Sequence, residues 1–301
     1  MKNFKDKVAV ITGGASGFGR EFAFKAHQLG MKIALADVQR DTLDHTVQEL
    51  REQGARVFGL VCDVRKSAEV QALADATMKE FGAVHLVFNN AGVGSGGLIW
   101  ENSEADWEWV LGVNLWGVVH GVRIFTRLMF ECAKNDPGYE GHIVNTASMA
   151  GTMSMPAMGV YNVSKHAVVT LSETLYQDLQ LVQAPIGASV LCPYFVPTGI
   201  SQSHRNRPAD VKMTEAPTAS QLAAQALVDK AVSSGKMTAS GVAELTFKAI
   251  EDGQFYVFTH PQALGGVEQR MTDMISQRNP TDPYAATPQV REALLSKMRP
   301  R

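Results

Sequence analysis

The amino-acid sequence predicts an α/β protein whose core is a doubly wound, mostly parallel sheet with helices on both faces. Short apolar segments alternate with helix-like segments along the first two-thirds of the 301 residues. These segments are continuously apolar, which is typical of strands covered on both faces. A glycine-rich turn follows the first of them. The alternation predicts parallel strands joined by helical crossovers within a single domain, residues 1–301.

Seven segments are predicted to be strands because they are short, apolar and mostly bounded by turn-forming or polar residues. They are Val8–Ile11, Lys32–Asp37, Arg56–Asp63, Leu86–Asn89, His142–Thr146, Ile186–Leu191 and Gln254–Thr259. The helices predicted between the first six strands, and the last one after the seventh, are Gly19–Leu29, Arg40–Gln53, Ser67–Phe81, Ser103–Cys132, Ala157–Leu181 and Pro261–Ser276.

The alternation breaks at about residues 199–253. This stretch begins with polar residues, including the basic patch His204–Arg207, which we interpret as a solvated loop. Two helix-like segments follow, Ser220–Val232 and Ala239–Glu251. We interpret the whole stretch as a lid-like insertion that closes a substrate pocket. The chain is then expected to finish in a Pro-rich tail at about residues 279–301.

Composition excludes several classes of protein. A net charge of −2 gives no global field that would recruit nucleic acid or an anionic membrane. No apolar stretch approaches the roughly 20 residues that span a bilayer. The three cysteines and eight histidines lack the spacing of metal ligands, so no metal is expected. Free thiols and the lack of a signal-peptide pattern lead us to expect a cytoplasmic protein that acts on a small molecule.

The turn after the first predicted strand is a candidate ligand site. Its glycines allow a tight strand-to-helix turn and let the backbone approach a pyrophosphate, while the helix N-terminus offers unpaired N–H groups. Tight packing alone is the alternative, but the position between a strand and a helix favours a dinucleotide bound to a Rossmann-type sheet. The residues expected to contact it are Gly13, Ser16, Gly17, Phe18 and Gly19.

Asp37 ends the second predicted strand, 18 residues beyond Gly19. An acidic residue there accepts hydrogen bonds from the adenosine ribose hydroxyls and repels a 2′-phosphate. The adjoining loop carries Ala15 and Ser16, without a basic residue for that phosphate. We therefore expect NAD rather than NADP as the cofactor, although an exposed turn aspartate would give the same pattern.

A proton-transfer site is predicted from three residues. Tyr161 and Lys165 stand four residues apart on one predicted helix, and Ser148 lies thirteen residues before the tyrosine. Residues at i and i+4 share a helix face. A phenol, with an ordinary pKa of roughly 10, becomes a useful acid/base near neutral pH when a neighbouring cation favours its phenolate. Ser148 can donate to a carbonyl oxygen, and Lys165 can also bind the nicotinamide ribose.

Together these motifs resemble the short-chain dehydrogenases/reductases, the subfamily with TGxxxGxG and YxxxK, from Val8 to about Ile200. The resemblance implies that Asp63 and Val64 contact the adenine and that Asn114 binds a water relaying protons past Lys165. It also implies a homodimer or homotetramer. The other cofactor contacts that it implies are Asn89, Ala91 and Gly92 in the cleft, and Pro193, Val196 and Thr198 at the nicotinamide.

The chain departs from the family pattern beside the expected substrate. Tyr194 stands where the family usually has glycine after the proline. Methionines cluster before Tyr161, and although methionine often only fills gaps in a core, Met155 and Met158 with Tyr194 and Phe195 are predicted to form an apolar pocket wall. The usual glycine-aspartate-glycine ending near the last strand is also missing.

These observations predict an NAD-dependent secondary-alcohol dehydrogenase, or ketone reductase in reverse, for a bulky apolar substrate. The predicted catalytic residues are Asn114, Ser148, Tyr161 and Lys165. One alternative is a sugar-nucleotide epimerase or dehydratase on the same fold, although the glycine spacing argues against it. The other is a non-catalytic dinucleotide-binding sensor, for which retaining serine, tyrosine and lysine together would be unnecessary.

Overall fold

A computed structural model describes residues 1–212 and 215–298. Its core is a seven-stranded sheet in the order β3-β2-β1-β4-β5-β6-β7, in which each neighbouring pair is parallel. The predicted doubly wound α/β fold is confirmed, and the sheet is parallel throughout its described ladders. The strands are β1 (Val8–Thr12), β2 (Lys32–Asp37), β3 (Arg56–Val61), β4 (Leu86–Asn89), β5 (Gly141–Thr146), β6 (Ile186–Cys192) and β7 (Tyr256–Phe258).

Helices connect and cover these strands. They are α1 (Gly17–Gln28), α2 (Arg40–Glu52), α3 (Ser67–Phe81), α4 (Glu104–Leu111), α5 (Gly117–Asn135), α6 (Gly159–Leu181), α7 (Ala219–Ser233), α8 (Ala239–Asp252), α9 (Gly265–Ile275) and α10 (Pro288–Met298). Short 3₁₀ segments occupy Ile99–Glu101, Met149–Gly151, Gly199–Asn206, Ala209–Val211 and Pro261–Ala263.

Two apolar layers enclose the sheet. Helices α1, α2 and α8 pack on one face, where the Phe22 ring stacks on Phe88 with centroids 4.4 Å apart and Phe247 of α8 lies 5.5 Å from Phe88. Helices α3, α5 and α6 contribute to the cores on the opposite face, around the buried Phe125 and Met129. Because both faces are covered, strands such as β1 are buried along their whole length, which explains their uninterrupted apolar sequences.

The long predicted helix Ser103–Cys132 is not a regular α-helix. A π turn over Gly112–Trp116 separates α4 from α5, and the Gly117 N–H bonds to the Gly112 carbonyl five residues back. Ser103 begins α4 with a reciprocal side-chain and backbone cap involving Asp106. The π turn inserts a residue without changing which face is apolar, so the sequence pattern does not reveal it. Such turns are frequent at functional sites.

The region predicted as an insertion divides into two parts. Helix α8 belongs to the sheet layer, since Val242, Phe247 and Ile250 are buried in the core with α1. The part that lies beside the cavity described below is residues 199–212 and 215–233, which we call the lid. The insertion is therefore shorter than the predicted 199–253, because the apolar face of α8 has a large partner surface on α1.

The basic patch at the start of the lid is solvated only in part: His204 and Arg205 are exposed, as predicted, but Arg207 is not. Arg207 forms an ion pair with Asp106 of α4, with Nη1 2.5 Å from Oδ1, and both side chains are less than a tenth exposed. The guanidinium also lies 5.0 Å from the centroid of the Trp109 ring. The ion pair anchors the lid to the helix that precedes the π turn.

Candidate active site

One cavity of about 390 Å³ runs along the carboxyl ends of the parallel strands. It joins the glycine turn after β1 to Ser148 and Tyr161, and it continues under the lid. Open α/β sheets bind their ligands at this edge. The predicted residues on its wall are Gly13, Ser16, Gly17, Phe18, Asp37, Asp63, Val64, Ala91, Gly92, Ser148, Met155, Met158, Tyr161, Lys165, Pro193, Tyr194, Phe195, Val196 and Thr198.

The glycine turn forms a cradle at the start of α1. Gly13 and Gly17 have φ angles of +65° and +53°, which favour glycine. Ser16 precedes the helix in an extended conformation and makes no side-chain capping bond, and no acidic residue stands in the first turn. This N-terminus is therefore suited to a phosphate group.

Gly19 has a different role from the one predicted for it. A β-carbon at this position would lie 2.0 Å from the Gly13 carbonyl oxygen, so glycine is required for packing within the turn. Gly19 is buried and does not line the cavity.

Asp37 lies on the cavity wall, held by the backbone. Its carboxylate accepts hydrogen bonds from the Ala15 N–H at 3.1 Å and the Gln39 N–H at 3.0 Å. Burial raises the pKa of Asp37, and these backbone bonds together with the positive charge of Arg205 oppose that rise. Arg205 also lines the cavity, from the lid. Because Asp37 and Arg205 are far apart in the chain, the sequence pattern does not reveal that they share this wall.

Asp63 faces the cavity but already has a partner. Arg65 donates to both of its carboxylate oxygens, through Nε and through Nη2 at 2.7 Å from Oδ2. The same guanidinium reaches Asp210 of the lid at 3.2 Å. This network lies at one end of the cavity, and Val64 lies beside it.

The segment after β4 divides its predicted residues between core and cavity. Ala91 and Gly92 lie on the wall, with Asn90 between β4 and them. Asn89 instead is buried and donates to the Asn145 side chain at 2.8 Å, so its predicted place in the cofactor cleft is wrong. An asparagine on a central strand can bond across the sheet, which the motif alone does not indicate.

Ser148, Tyr161 and Lys165 meet at one point of the cavity. Burial raises the pKa of the Tyr161 phenol, and a hydrogen bond with the Ser148 hydroxyl opposes that rise. Lys165 is 3% exposed, and burial lowers its pKa to about 8. Its Nζ donates to the Thr146 carbonyl at 2.9 Å and lies 5.7 Å from the Tyr161 ring centroid.

Burial, rather than the neighbouring lysine, has the largest effect on the pKa of Tyr161. The Tyr161 pKa is raised rather than lowered because burial is the largest influence on it. The lysine ammonium bonds to a carbonyl and is itself poorly solvated. A bound group carrying positive charge would be needed to bring the phenol toward neutral pH.

Asn114 lies behind the cavity wall, in the π turn. It is fully buried, and its side chain donates to the Val93 carbonyl and the Ser164 hydroxyl while accepting from the Val93 N–H. A β-carbon on Gly92 would lie 3.5 Å from Asn114 Oδ1 and 3.6 Å from Lys165 Nζ. Asn114 is thus near the lysine but does not itself line the cavity.

The end of the cavity where substrate is expected is lined mainly by apolar side chains. The predicted wall residues Met155, Met158, Tyr194 and Phe195 are all present, and Ala157 between the methionines has a φ of +59°. Four residues that sequence reasoning did not include complete this end, two from α7 and two from the predicted tail: Leu227, Val228, Tyr284 and Val290.

The described residues contain neither a metal-binding cluster nor a membrane-spanning helix. No group of three or more histidine, cysteine or acidic side chains is arranged to hold a metal ion. None of the helices in residues 1–212 and 215–298 is long and apolar enough to cross a membrane.

A cradle for a dinucleotide that opens onto a serine, tyrosine and lysine defines a dinucleotide-dependent oxidoreductase of the Rossmann type. The family model described as short chain dehydrogenase matches residues 7–209. The chain therefore belongs to the short-chain dehydrogenase/reductase family.

Similar proteins of known sequence or structure agree with this assignment. A crystal structure of a short chain dehydrogenase/reductase from Burkholderia phymatum in complex with NAD has a TM-score of 0.91 and 55% identity, covering 94% of this chain and 99% of that one. The "C alpha-dehydrogenase" of Sphingobium sp. (strain SYK-6) is 33% identical over 100% of this chain and 96% of its own. The "CLA biosynthesis dehydrogenase/reductase" of Lactiplantibacillus plantarum is 34% identical, covering 93% and 97% respectively.

Proposed function

We propose that this oxidoreductase transfers hydride between NAD(H) and a bulky, apolar secondary alcohol or its ketone. One observation carries the proposal: a single cavity joins the glycine cradle, the Ser148–Tyr161 pair and an apolar chamber. The likeness to a structure that binds NAD supports the cofactor. The name of the similar "C alpha-dehydrogenase" is consistent with oxidation at carbon.

The chain offers a fitting site for the dinucleotide. The uncapped N-terminus of α1 suits a pyrophosphate, and Asp37 suits the adenosine ribose hydroxyls. On this assignment Asp63 and Val64 border the adenine, and Pro193, Val196 and Thr198 border the nicotinamide. The bound dinucleotide supplies the hydride acceptor for an alcohol.

The proton chemistry belongs to the protein. The Ser148 hydroxyl donates a hydrogen bond to the substrate oxygen, and Tyr161 removes the alcohol proton. Lys165 binds the nicotinamide ribose and passes the proton onward. Asn114 would bind the water of this relay beside Lys165, with its side chain held by Val93 and Ser164.

The proposal is tested with three alcohols and NAD: 2-propanol, a polyol and a bulky aryl carbinol. We expect kcat/KM to be highest for the aryl carbinol, because each apolar group buried in the chamber gains about 1.5–3 kcal/mol. Tyr161→Phe should bind NADH normally in a fluorescence titration and lose at least about 100-fold in kcat. Preference for the polyol would overturn the apolar substrate, and equal turnover by folded Tyr161→Phe would overturn the mechanism. No oxidation of any alcohol would favour a sensor.

A further inference from the structure

The segment that follows α9 is held in place by hydrogen bonds and ion pairs, and it forms part of the wall of the apolar chamber. Asp273 of α9 is buried, accepts from the Thr281 N–H at 2.9 Å and pairs with Arg278 at 3.0 Å. Asp282 then accepts from the Tyr284 N–H at 3.0 Å and pairs with Arg291 of α10 at 3.0 Å. These contacts hold the turn that leads from α9 into α10.

This segment packs against the lid and meets the methionine wall. Tyr284 and Leu294 form a buried cluster with Ala223 of α7, and Met155 and Leu227 pack against it. Tyr284 is 7% exposed although it lines the cavity, so its ring faces the chamber rather than bulk solvent. Val290, in the first turn of α10, also lies on the cavity wall, so this segment contributes both Tyr284 and Val290 to the wall.

We propose that Tyr284 and Val290 form the distal wall of the chamber and set the length of the substrate's apolar part. The inference rests on the proposed alcohol oxidation, because it assigns the far end of the same cavity. Met155 links this wall to the segment that precedes Tyr161. A substrate whose oxygen lies at Ser148 would extend its apolar group toward Tyr284. On this proposal, the predicted Pro-rich tail contains a helix, α10, that helps to select substrates.

A series of 2-alkanols of increasing chain length tests this wall. In the unmodified protein, kcat/KM should rise about fourfold for each buried methylene and fall once the chain meets the wall. Tyr284→Ala enlarges the chamber and should move the optimum to longer chains by about two or three carbons. Val290→Phe reduces the chamber and should move it to shorter chains. Opposite shifts would not arise from a general loss of structure.

Two further variants act as controls. Tyr284→Phe keeps the ring and should keep the length optimum. Leu295→Ala alters the exposed face of the same helix, where Leu295 is 46% exposed, and should leave the whole series unchanged. The far-ultraviolet circular dichroism and thermal unfolding of each variant report whether it has folded.

A binding measurement separates this inference from the proposed function. The dissociation constants of the matching 2-alkanones for the complex with NADH, measured by calorimetry, need no turnover. If ketones bind with length optima that shift in opposite directions, the wall stands even when no alcohol is oxidised. Suppose instead that alcohols are oxidised, but that Tyr284→Ala and Val290→Phe weaken ketone binding equally at every chain length or behave like Leu295→Ala. The proposed wall is then overturned and the proposed function remains.

Discussion

At the scale of single residues, the site keeps a cation where water cannot reach it. Lys165 has one carbonyl partner and a pKa lowered by burial to about 8, against an ordinary value of 10.5. Below pH 8 the folded protein therefore carries a poorly solvated charge that the unfolded chain keeps in water. This burial lowers the free energy of unfolding.

Lys165→Met should remove that cost and abolish most activity. We expect the free energy of unfolding at pH 7 to rise by on the order of 1–3 kcal/mol, with the unpaired Thr146 carbonyl offsetting part of the gain. The lysine loses its charge in the native state near pH 8 and in the unfolded state near 10.5. The unmodified protein should thus gain stability as the pH rises over that range. The difference in unfolding free energy between Lys165→Met and the unmodified protein should therefore shrink. Urea unfolding at pH 7, 9 and 10.5 measures it; a difference that does not change with pH would contradict the burial argument.

We predict that the choice between NAD and NADP depends on Asp37 and Arg205, which both line the cavity. Asp37→Ala should lower kcat/KM with NAD by about tenfold, because charged hydrogen bonds to the ribose are lost. The kcat/KM with NADP should rise, because the carboxylate that repels the 2′-phosphate is gone. The positive charge of Arg205 is then no longer balanced by Asp37 and can attract that phosphate. Adding Arg205→Ala to Asp37→Ala should reverse that gain. A preference of the unmodified protein for NADP would show that the assignment of Asp37 is wrong.

At the scale of elements, a buried ion pair between Arg207 and Asp106 joins the lid to α4. Burial opposes ionisation of Asp106, but hydrogen bonds from Arg207 and Ser103 outweigh it and leave the pKa of Asp106 lowered. Because its pKa is lowered, this contribution to stability is present above the ordinary value of 3.8 and lost as the pH falls below it.

Asp106→Ala should lower the free energy of unfolding by about 3–5 kcal/mol at pH 7, because it leaves the Arg207 guanidinium buried without a partner. The double variant Asp106→Leu with Arg207→Met should recover much of this loss, since the pair is replaced by apolar groups. Urea unfolding of the singles and the double gives the coupling energy. A coupling near zero would mean that solvent screens this ion pair.

The elements differ in how far the sequence predicts them. The strands are evident because burial on both faces leaves continuous apolar runs. The π turn is not, because it changes hydrogen bonding and keeps the apolar face. Helix α8 has an apolar stripe that includes Val242, Phe247 and Ile250, but the sequence does not indicate which surface covers it, and only contact with α1 assigns it to the sheet layer. Residues close in sequence, such as Tyr161 and Lys165, are predictable as neighbours from their motif. Arg205 and Tyr284 come to the same cavity from distant parts of the chain, so no local pattern predicts them.

At the scale of the whole molecule, helices α5 and α6 share an apolar groove at the surface. Val122, Phe130 and Val182 line it beside Arg127 and Asp178. Val182 is 61% exposed, and the adjoining Leu181 is 81% exposed. A two-fold contact would bury these apolar groups and bring arginine and aspartate of opposite copies together.

We predict a homodimer or homotetramer formed through this groove. Val182→Glu should convert it to a smaller species, because it places a charge in the apolar contact. Sedimentation velocity measures the mass, and Ile275→Glu, at an even more exposed apolar site on α9, is the control. A monomeric unmodified protein, or an unchanged mass for Val182→Glu, would contradict the predicted interface.

The position of α8 in the sheet layer has a consequence for how the chain is made. Six of the seven strands have been synthesised by Cys192, yet the helix that covers Phe22 and Phe88 begins only at Ala239. While the ribosome adds the residues between, these rings lack part of their cover. A nascent chain in this state exposes apolar surface on which chaperones act. The domain therefore reaches its native packing late in synthesis, after α8 has left the exit tunnel.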